Sequence, residues 1–429
     1  MIKKILISLL FVVSCNAEYI YTVDELIVEA LKNSPDIEMS KLDFEASQQR
    51  YKQSFGGYLP KVDISANASH INEKDMPLFN KDAEANLVSG TLSANQLIYD
   101  FGKTSGNVGN TQELSKAYDA ALKEQIIKKK RDIKITYYSI LKNLALISVN
   151  EESIKLNESQ LYRSKKYFLA GIRTKVDISD AQVRVLKAKI SLKTSQYDLQ
   201  NSYAALDRIV GFDDKHNRYK VYKPTVNLQK NLYKTLKIYD LDMDDAIEYA
   251  YKNRPELMEF RYRSKAQKEL QKTASSRYYP NIYLNGNYNK ISADKYSDIL
   301  DKERWDAGIY LNWNLYTGGS DKAKIQEQEI LTQKSNSLYQ KKKLLIKEEV
   351  TKAYISVNKT RENVKLSQNL LELSKEKFNQ ITKQYEHGLS DYIQLQEARQ
   401  GYVDAMAELV INYYNYYSAI AILDNSIGR

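Results

Sequence analysis

Leu97-Ile98-Tyr99-Asp100-Phe101-Gly102 returns as Asn314-Leu315-Tyr316-Thr317-Gly318-Gly319, an offset of 217 (319 − 102). The same offset carries Gly171 onto Gly388 and Ala181 onto Ala398, so each glycine lies 69 residues (171 − 102, 388 − 319) beyond the end of its hexapeptide. Upstream, Val23-Asp24-Glu25-Leu26 with Ala30, Asn33 and Pro35 recurs as Met243-Asp244-Asp245-Ala246 with Ala250, Asn253 and Pro255. That offset is 220 (255 − 35), and it also relates Tyr58-Leu59-Pro60 to Tyr278-Tyr279-Pro280. The chain is one unit written twice, and the three-residue change of offset falls where loop lengths differ between the copies.

Between the hexapeptide and the later glycine, Asn110 to Ala170 and Ser320 to His387 contain neither Gly nor Pro. Each stretch predicts an unbroken helix of over 60 residues, about 90 to 100 Å long. A seven-residue apolar step runs through both: Ile140, Ile147, Ile154, Leu161 and Phe168 align with Val357, Val364, Leu371, Phe378 and Tyr385. Beyond the glycines, Ile178, Val185, Leu192, Leu199 and Leu206 match Leu395, Tyr402, Leu409, Tyr416 and Leu423. Heptads held this long predict coiled-coil packing, with a long helix, a short turn at Gly171 or Gly388, and a shorter helix returning.

Ahead of each long helix lie residues with period-two patterning. Trp305, Ala307, Ile309, Leu311, Trp313 and Leu315 alternate with Asp306, Gly308, Tyr310, Asn312, Asn314 and Tyr316; Ile282, Leu284 and Tyr288 alternate with Tyr283, Asn285 and Asn287. Val62, Ile64, Ala66 and Ala68 likewise alternate with Asp63, Ser65, Asn67 and Ser69, and Leu92 with Ala94 marks a weaker fourth strand. One face of such strands suits lipid and the other water. Trp305 and Trp313, the only tryptophans, read as girdle residues about 26 Å apart on one strand face. Four strands cannot close a barrel, because the smallest known have eight, so protomers must pool strands. Two would give eight and three would give twelve.

Residues 1–17 have the charge, apolar core and small-residue order of a signal peptide, and no later stretch reaches the roughly 18 uncharged apolar residues of a transmembrane helix. The formal charge of +10 falls to +8 without Lys3 and Lys4 (10 − 2). Basic runs such as Lys128 to Arg131 are interspersed with carboxylates, Gln and Ser and carry no recognition motif, which argues against nucleic acid. The single cysteine, Cys15, fits a lipoprotein box loosely and fits ordinary cleavage before Glu18 as well; it allows no disulfide. His70, His216 and His387 are scattered, with no Ser, Cys or carboxylate constellation beside them. We therefore expect no enzyme activity, no cofactor and no metal site.

The duplicated order of Asn-x-Pro (Asn33 to Pro35, Asn253 to Pro255), Tyr-x-Pro, Gly102 or Gly319, and the pairs Gly171 with Ala181 and Gly388 with Ala398 resembles the TolC-like outer-membrane efflux protein family. The resemblance covers nearly the whole mature chain. It implies a mainly α fold with a membrane β-barrel: two coiled-coil hairpins and four strands per protomer, three protomers closing a twelve-stranded barrel. It also implies a homotrimer in the outer membrane with a long periplasmic extension, a periplasmic adaptor and an inner-membrane pump as partners, and small molecules passing through unaltered. In this family the first helix rises toward the membrane, so a helix from about Val23 to Phe55 would start roughly 50 Å below the barrel. The link from Cys15 to Val23 spans less than about 28 Å. This favours cleavage after Ala17 over a lipid on Cys15. The repeats then divide as 18–220 and 241–429, with a linker at 221–240.

By position, the resemblance assigns a periplasmic gate to Asp391, Gln394 and Glu397 in the second copy and to Asp177 and Asp180 in the first. Gln394 departs from the family's more acidic pattern. Gly171, Ile172, Thr174, Gly388, Leu389 and Ser390 are the implied adaptor contacts. Two other functions compete: the exit duct of a protein-secretion system, and a periplasmic coiled-coil scaffold, which would leave the lipid-suited strands unexplained.

Overall fold

The structure is a computed structural model; it describes residues 19–76, 81–172, 174–212, 219–224 and 230–429. The predicted signal peptide, Cys15 and His216 lie outside the described residues. Two compact units form, each drawing on both sequence repeats. One contains residues to Glu38, Ile126–Ala250 and Glu348–Arg429; the other contains Met39–Gln125 and Tyr251–Lys347.

Elements run β1 (Tyr19–Tyr21), α1 (Val23–Asn33), α2 (Pro35–Phe55), β2 (Lys61–Met76), β3 (Lys81–Tyr99), α3 (Lys103–Leu169) and α4 (Lys175–Val210). They continue with β4 (Tyr219–Val221), α5 (Met243–Asn253), α6 (Pro255–Ser275), β5 (Asn281–Ala293), the short α7 (Ser297–Leu300), β6 (Lys302–Asn312), α8 (Ser320–Glu386) and α9 (Tyr392–Ile427). The hairpin helices repeat at the sequence offset: α3 and α8 each have 67 residues, and α4 and α9 each have 36.

Two boundaries differ from the sequence reading. The helix expected from about Val23 to Phe55 is two helices, because Pro35 forces Ser34 into an extended conformation and then starts α2 at its first helical position. Arg254 and Pro255 repeat the break between α5 and α6. Conversely, α3 begins at Lys103 and runs through Gly106 and Gly109. A Cβ on Gly106 would lie 2.7 Å from the Glu269 carbonyl oxygen, so α6 packs against α3 closely enough to require glycine there.

In the first unit, the heptad residues Val357, Val364, Leu371, Leu395, Leu409, Tyr416 and Leu423 are buried. On α3 the buried face toward the turn is polar instead: Ser153, Asn157, Gln160 and Ser164. Leu232 and Lys237 are tied to the hairpin helices, since Leu232 N donates to Gln368 Oε1 (3.0 Å) and the Tyr416 hydroxyl donates to the Lys237 carbonyl (2.5 Å). The Tyr137 hydroxyl similarly donates to the Tyr222 carbonyl at 2.6 Å, and β1 pairs in parallel with β4.

The second unit contains an antiparallel sheet in the order β2-β3-β5-β6. Register places Ile64, Leu92, Tyr288 and Trp305 in one row across all four strands, and Asp63, Ser93, Asn287 and Asp306 in the next. Successive rows face opposite sides, so one face of the sheet is apolar and the other polar.

Candidate functional site

The two hairpin turns are built alike. Gly171 and Gly388 have φ of 72° and 74°, and Ile172 N and Leu389 N reach back to the carbonyls of Tyr167 (2.9 Å) and Gln384 (2.8 Å). This is the six-residue closure that ends a helix on a left-handed glycine. Ile172 and Leu389 project outward and are exposed. Thr174 and Asp391, related by the offset of 217 (391 − 174), cap the returning helices. Thr174 N and Oγ1 donate to Asp177 Oδ2 at 2.9 and 3.1 Å; Asp391 Oδ1 accepts from Gln394 N at 2.7 Å. Ser390 Oγ donates to Gln394 Oε1 at 2.6 Å.

Of the positions assigned to a gate, Asp391 and Asp177 are thus engaged in helix capping, while Asp180, Gln394 and Glu397 lie on exposed helix faces. Tyr385, Tyr392 and Leu395 pack behind the second turn with Tyr167, Phe378 and Ile381. Arg399, Gln160 and Gln396 are buried beyond them, a polar cluster that sequence reasoning passed over. Its only local signal is a break in the repeat: at the offset of 217, Arg399 corresponds to Gln182 and Gln396 to Ser179.

On α4, Val176, Val183, Ile190 and Tyr197 are exposed at seven-residue steps, with Leu186 beside them. This is a second heptad seam, offset from the buried one through Val185 and Leu206. Periodicity alone does not distinguish which of two seams a helix covers within its own chain.

The sheet carries the other candidate surface. Ile64 is 84% exposed and Trp305 76% exposed, and the polar face holds its own bonds, including Asn289 Nδ2 to Thr91 Oγ1 at 2.7 Å. The outer sides of β2 and β6 are unpaired among the described residues. Trp305 and Trp313 do not share a strand, which corrects the reading of Trp305 to Tyr316 as one continuous strand. β6 ends at Asn312, and the Trp313 indole donates to the Tyr278 carbonyl at 3.1 Å. Gly318 and Gly319, both at positive φ, then turn the chain into α8. Trp313 instead belongs to the aromatic residues at the strand ends where helices begin. Tyr58, Tyr99, Phe101, Tyr278, Tyr279 and Tyr316 are all exposed there, and Phe101 stacks on Tyr279 with centroids 5.0 Å apart. Such residues suit a membrane–water interface, where a ring has one apolar and one wet side. No helix among the described residues is long and apolar enough to cross a membrane.

Two equal helical hairpins and an amphipathic sheet whose outer strands are unpaired among the described residues are the elements expected of a channel protomer that enters its membrane through strands. The chain belongs to the outer membrane efflux protein family, whose model matches residues 26–212 and 246–429. It is accordingly an outer-membrane efflux channel protein, a component of an efflux system. It is 21% identical to the toluene efflux pump outer membrane protein TtgC of Pseudomonas putida, over 90% of this chain and 79% of that one. In fold it is similar to the CmeC outer membrane channel of Campylobacter jejuni, with a TM-score of 0.83, 17% identity, and coverage of 95% of this chain and 85% of that one. The outer membrane protein VceC of Vibrio cholerae is similar with a TM-score of 0.82, 16% identity, and coverage of 95% and 96%.

Proposed function

We propose that this protein works as a homotrimeric exit duct that conducts small molecules out of the cell, coupled through a periplasmic adaptor to an inner-membrane pump. The observation that carries the reading is the set of unpartnered apolar surfaces. The α4 seam of Val176, Val183, Ile190 and Tyr197 suits a neighbouring helix, and the apolar sheet face with two free edges suits lipid and neighbouring strands. Three such sheets would give the twelve strands of a closed barrel, removing every free edge.

The exposed Ile172 and Leu389, beside glycine turns of the same geometry, are the proposed adaptor contacts, with Gly171, Thr174, Gly388 and Ser390 shaping the tips. Glu397 and Asp180, exposed and not engaged in capping, are the stronger gate candidates; Gln394, Asp177 and Asp391 shape the helix starts beside them. Repeats at 18–220 and 241–429 then supply one tip each. TtgC is named for toluene efflux, which favours small apolar cargo.

Deleting the gene should lower the inhibitory concentration of apolar toxic compounds several-fold, with restoration on re-expression. Unchanged susceptibility together with loss of an exported protein would transfer the duct to protein secretion. Sedimentation of the detergent-purified protein should give three copies.

A further inference from the structure

Arg399 is 5% exposed, and its guanidinium donates from Nη1 to Gln396 Oε1 (3.3 Å) and from Nη2 to Gln160 Oε1 (3.2 Å). Gln160 and Gln396 are themselves 1% and 3% exposed. Because a guanidinium only donates, it dictates the orientation of both amides: their oxygens must face it, and their NH2 groups are left over. Gln160 Nε2, Gln396 Nε2, Arg399 Nε and the Tyr392 hydroxyl are all buried without a hydrogen-bond partner among the described residues. The cluster therefore has donors in surplus, while each amide oxygen accepts one bond from the guanidinium.

Its charge is also uncompensated. Burial, reinforced by the positive potential of Arg163 and the half-buried Arg184 and opposed by Tyr392 and Tyr385, pushes Arg399 down to about 10. Among the acids nearby, Asp180 acts on Tyr392, and Glu386 pairs with Arg163 at 3.4 Å on the exposed side; neither bonds Arg399. A buried cation without an anionic partner is strongly disfavoured. A water molecule would satisfy some of these donors but leave the charge unpaired, whereas an anion accepts from donors and neutralises the guanidinium as well. Gln182 and Ser179, the counterparts in the first copy, are exposed, so the arrangement is not a by-product of the repeat.

We propose that Arg399, Gln160 and Gln396 form a buried binding site for a small monatomic anion of the chloride class. Gln160 lies 11 residues before Gly171 (171 − 160) and Arg399 lies 11 after Gly388 (399 − 388). The ion thus ties α3 of one hairpin to α9 of the other about 16 Å from the turns and strengthens their packing. The site stands whichever cargo the duct carries.

The test compares thermal unfolding of the purified full-length protein in sodium chloride and in sodium gluconate at equal ionic strength. Wild type should melt at least about 2 °C higher in chloride, because a ligand that binds only the native state stabilises it. Gln160→Glu supplies a covalently attached carboxylate beside Arg399 and should melt equally in the two salts. If that variant does not assemble, Arg399→Gln should show the same loss of chloride dependence. In crystals grown with bromide, an anomalous peak should lie within hydrogen-bonding distance of the Arg399 guanidinium. Equal melting of wild type in both salts, a chloride effect that survives either substitution, or no bromide at Arg399 would each overturn the site.

Discussion

Asp391 Oδ1 accepts the backbone N–H of Gln394 at 2.7 Å, so an acid that its position would assign to a gate is also the cap of α9. Asp391→Ala should cost about 1 kcal/mol of stability, whereas Asp391→Asn, which removes the charge and retains the acceptor, should cost little. Glu397 lies on an exposed face of the same helix and takes no part in the cap. Glu397→Ala should raise single-channel conductance in planar bilayers while Asp391→Asn leaves it nearly unchanged. Equal conductance of wild type and Glu397→Ala would remove Glu397 from the gate.

Gly171 and Gly388 sit at positive φ, and a Cβ on either meets nothing within 4 Å. Alanine should therefore cost only the left-handed backbone penalty, about 1 to 2 kcal/mol per site, and asparagine less. Parallel melting curves for the two alanine variants would show that the turns are energetically equivalent. A variant that melts normally and yet fails to export would separate docking from folding.

Gly106 presents the opposite situation. Its φ is ordinary, and an added Cβ would collide with the Glu269 carbonyl and come within 3.0 Å of Thr273 N, both backbone atoms of α6. Gly106→Ala should destabilise by about 1 to 3 kcal/mol through overpacking. The atoms nearest an added Cβ on Gly109 all belong to the Glu269 side chain, which can swing aside, so Gly109→Ala should be milder. Chemical denaturation of the two variants compares them directly.

On the sheet, Ile64 and Asp63 are adjacent in sequence and on opposite faces. Ile64→Lys places a cation on the apolar face, near the strand end, and should cost about 1 to 3 kcal/mol and reduce trimer recovered from the outer membrane. Asp63→Lys should assemble normally, because its side already faces polar neighbours. The trimer yield in membrane fractions, read from gel mobility without heating, distinguishes them.

The α4 seam gives a separate test of assembly. Val183→Glu with Ile190→Glu places charges at two exposed heptad positions without disturbing the buried Val185 and Leu206. The variant should keep its helical content by circular dichroism and sediment as fewer than three copies.

Local periodicity determined much of this protein before any contact was known. The offset of 217 set equal hairpins in both copies, alternation identified strands in the right places, and the glycines marked both turns, because helix and strand repeats and left-handed turns are properties of neighbouring residues. The same reasoning ran the last strand past Asn312, since alternation continues through Trp313 and Leu315 although the Tyr278 carbonyl captures the indole. It also joined α1 to α2 across Ser34, where proline imposes a break. Tertiary structure alone decided which heptad seam of α4 is buried, why Gly106 tolerates no side chain, and which carboxylates cap helices. It alone brought Gln160 to Arg399, 239 residues apart in sequence. Those outcomes depend on which distant backbone or side chain arrives, and a residue's chemical type does not specify its distant neighbour.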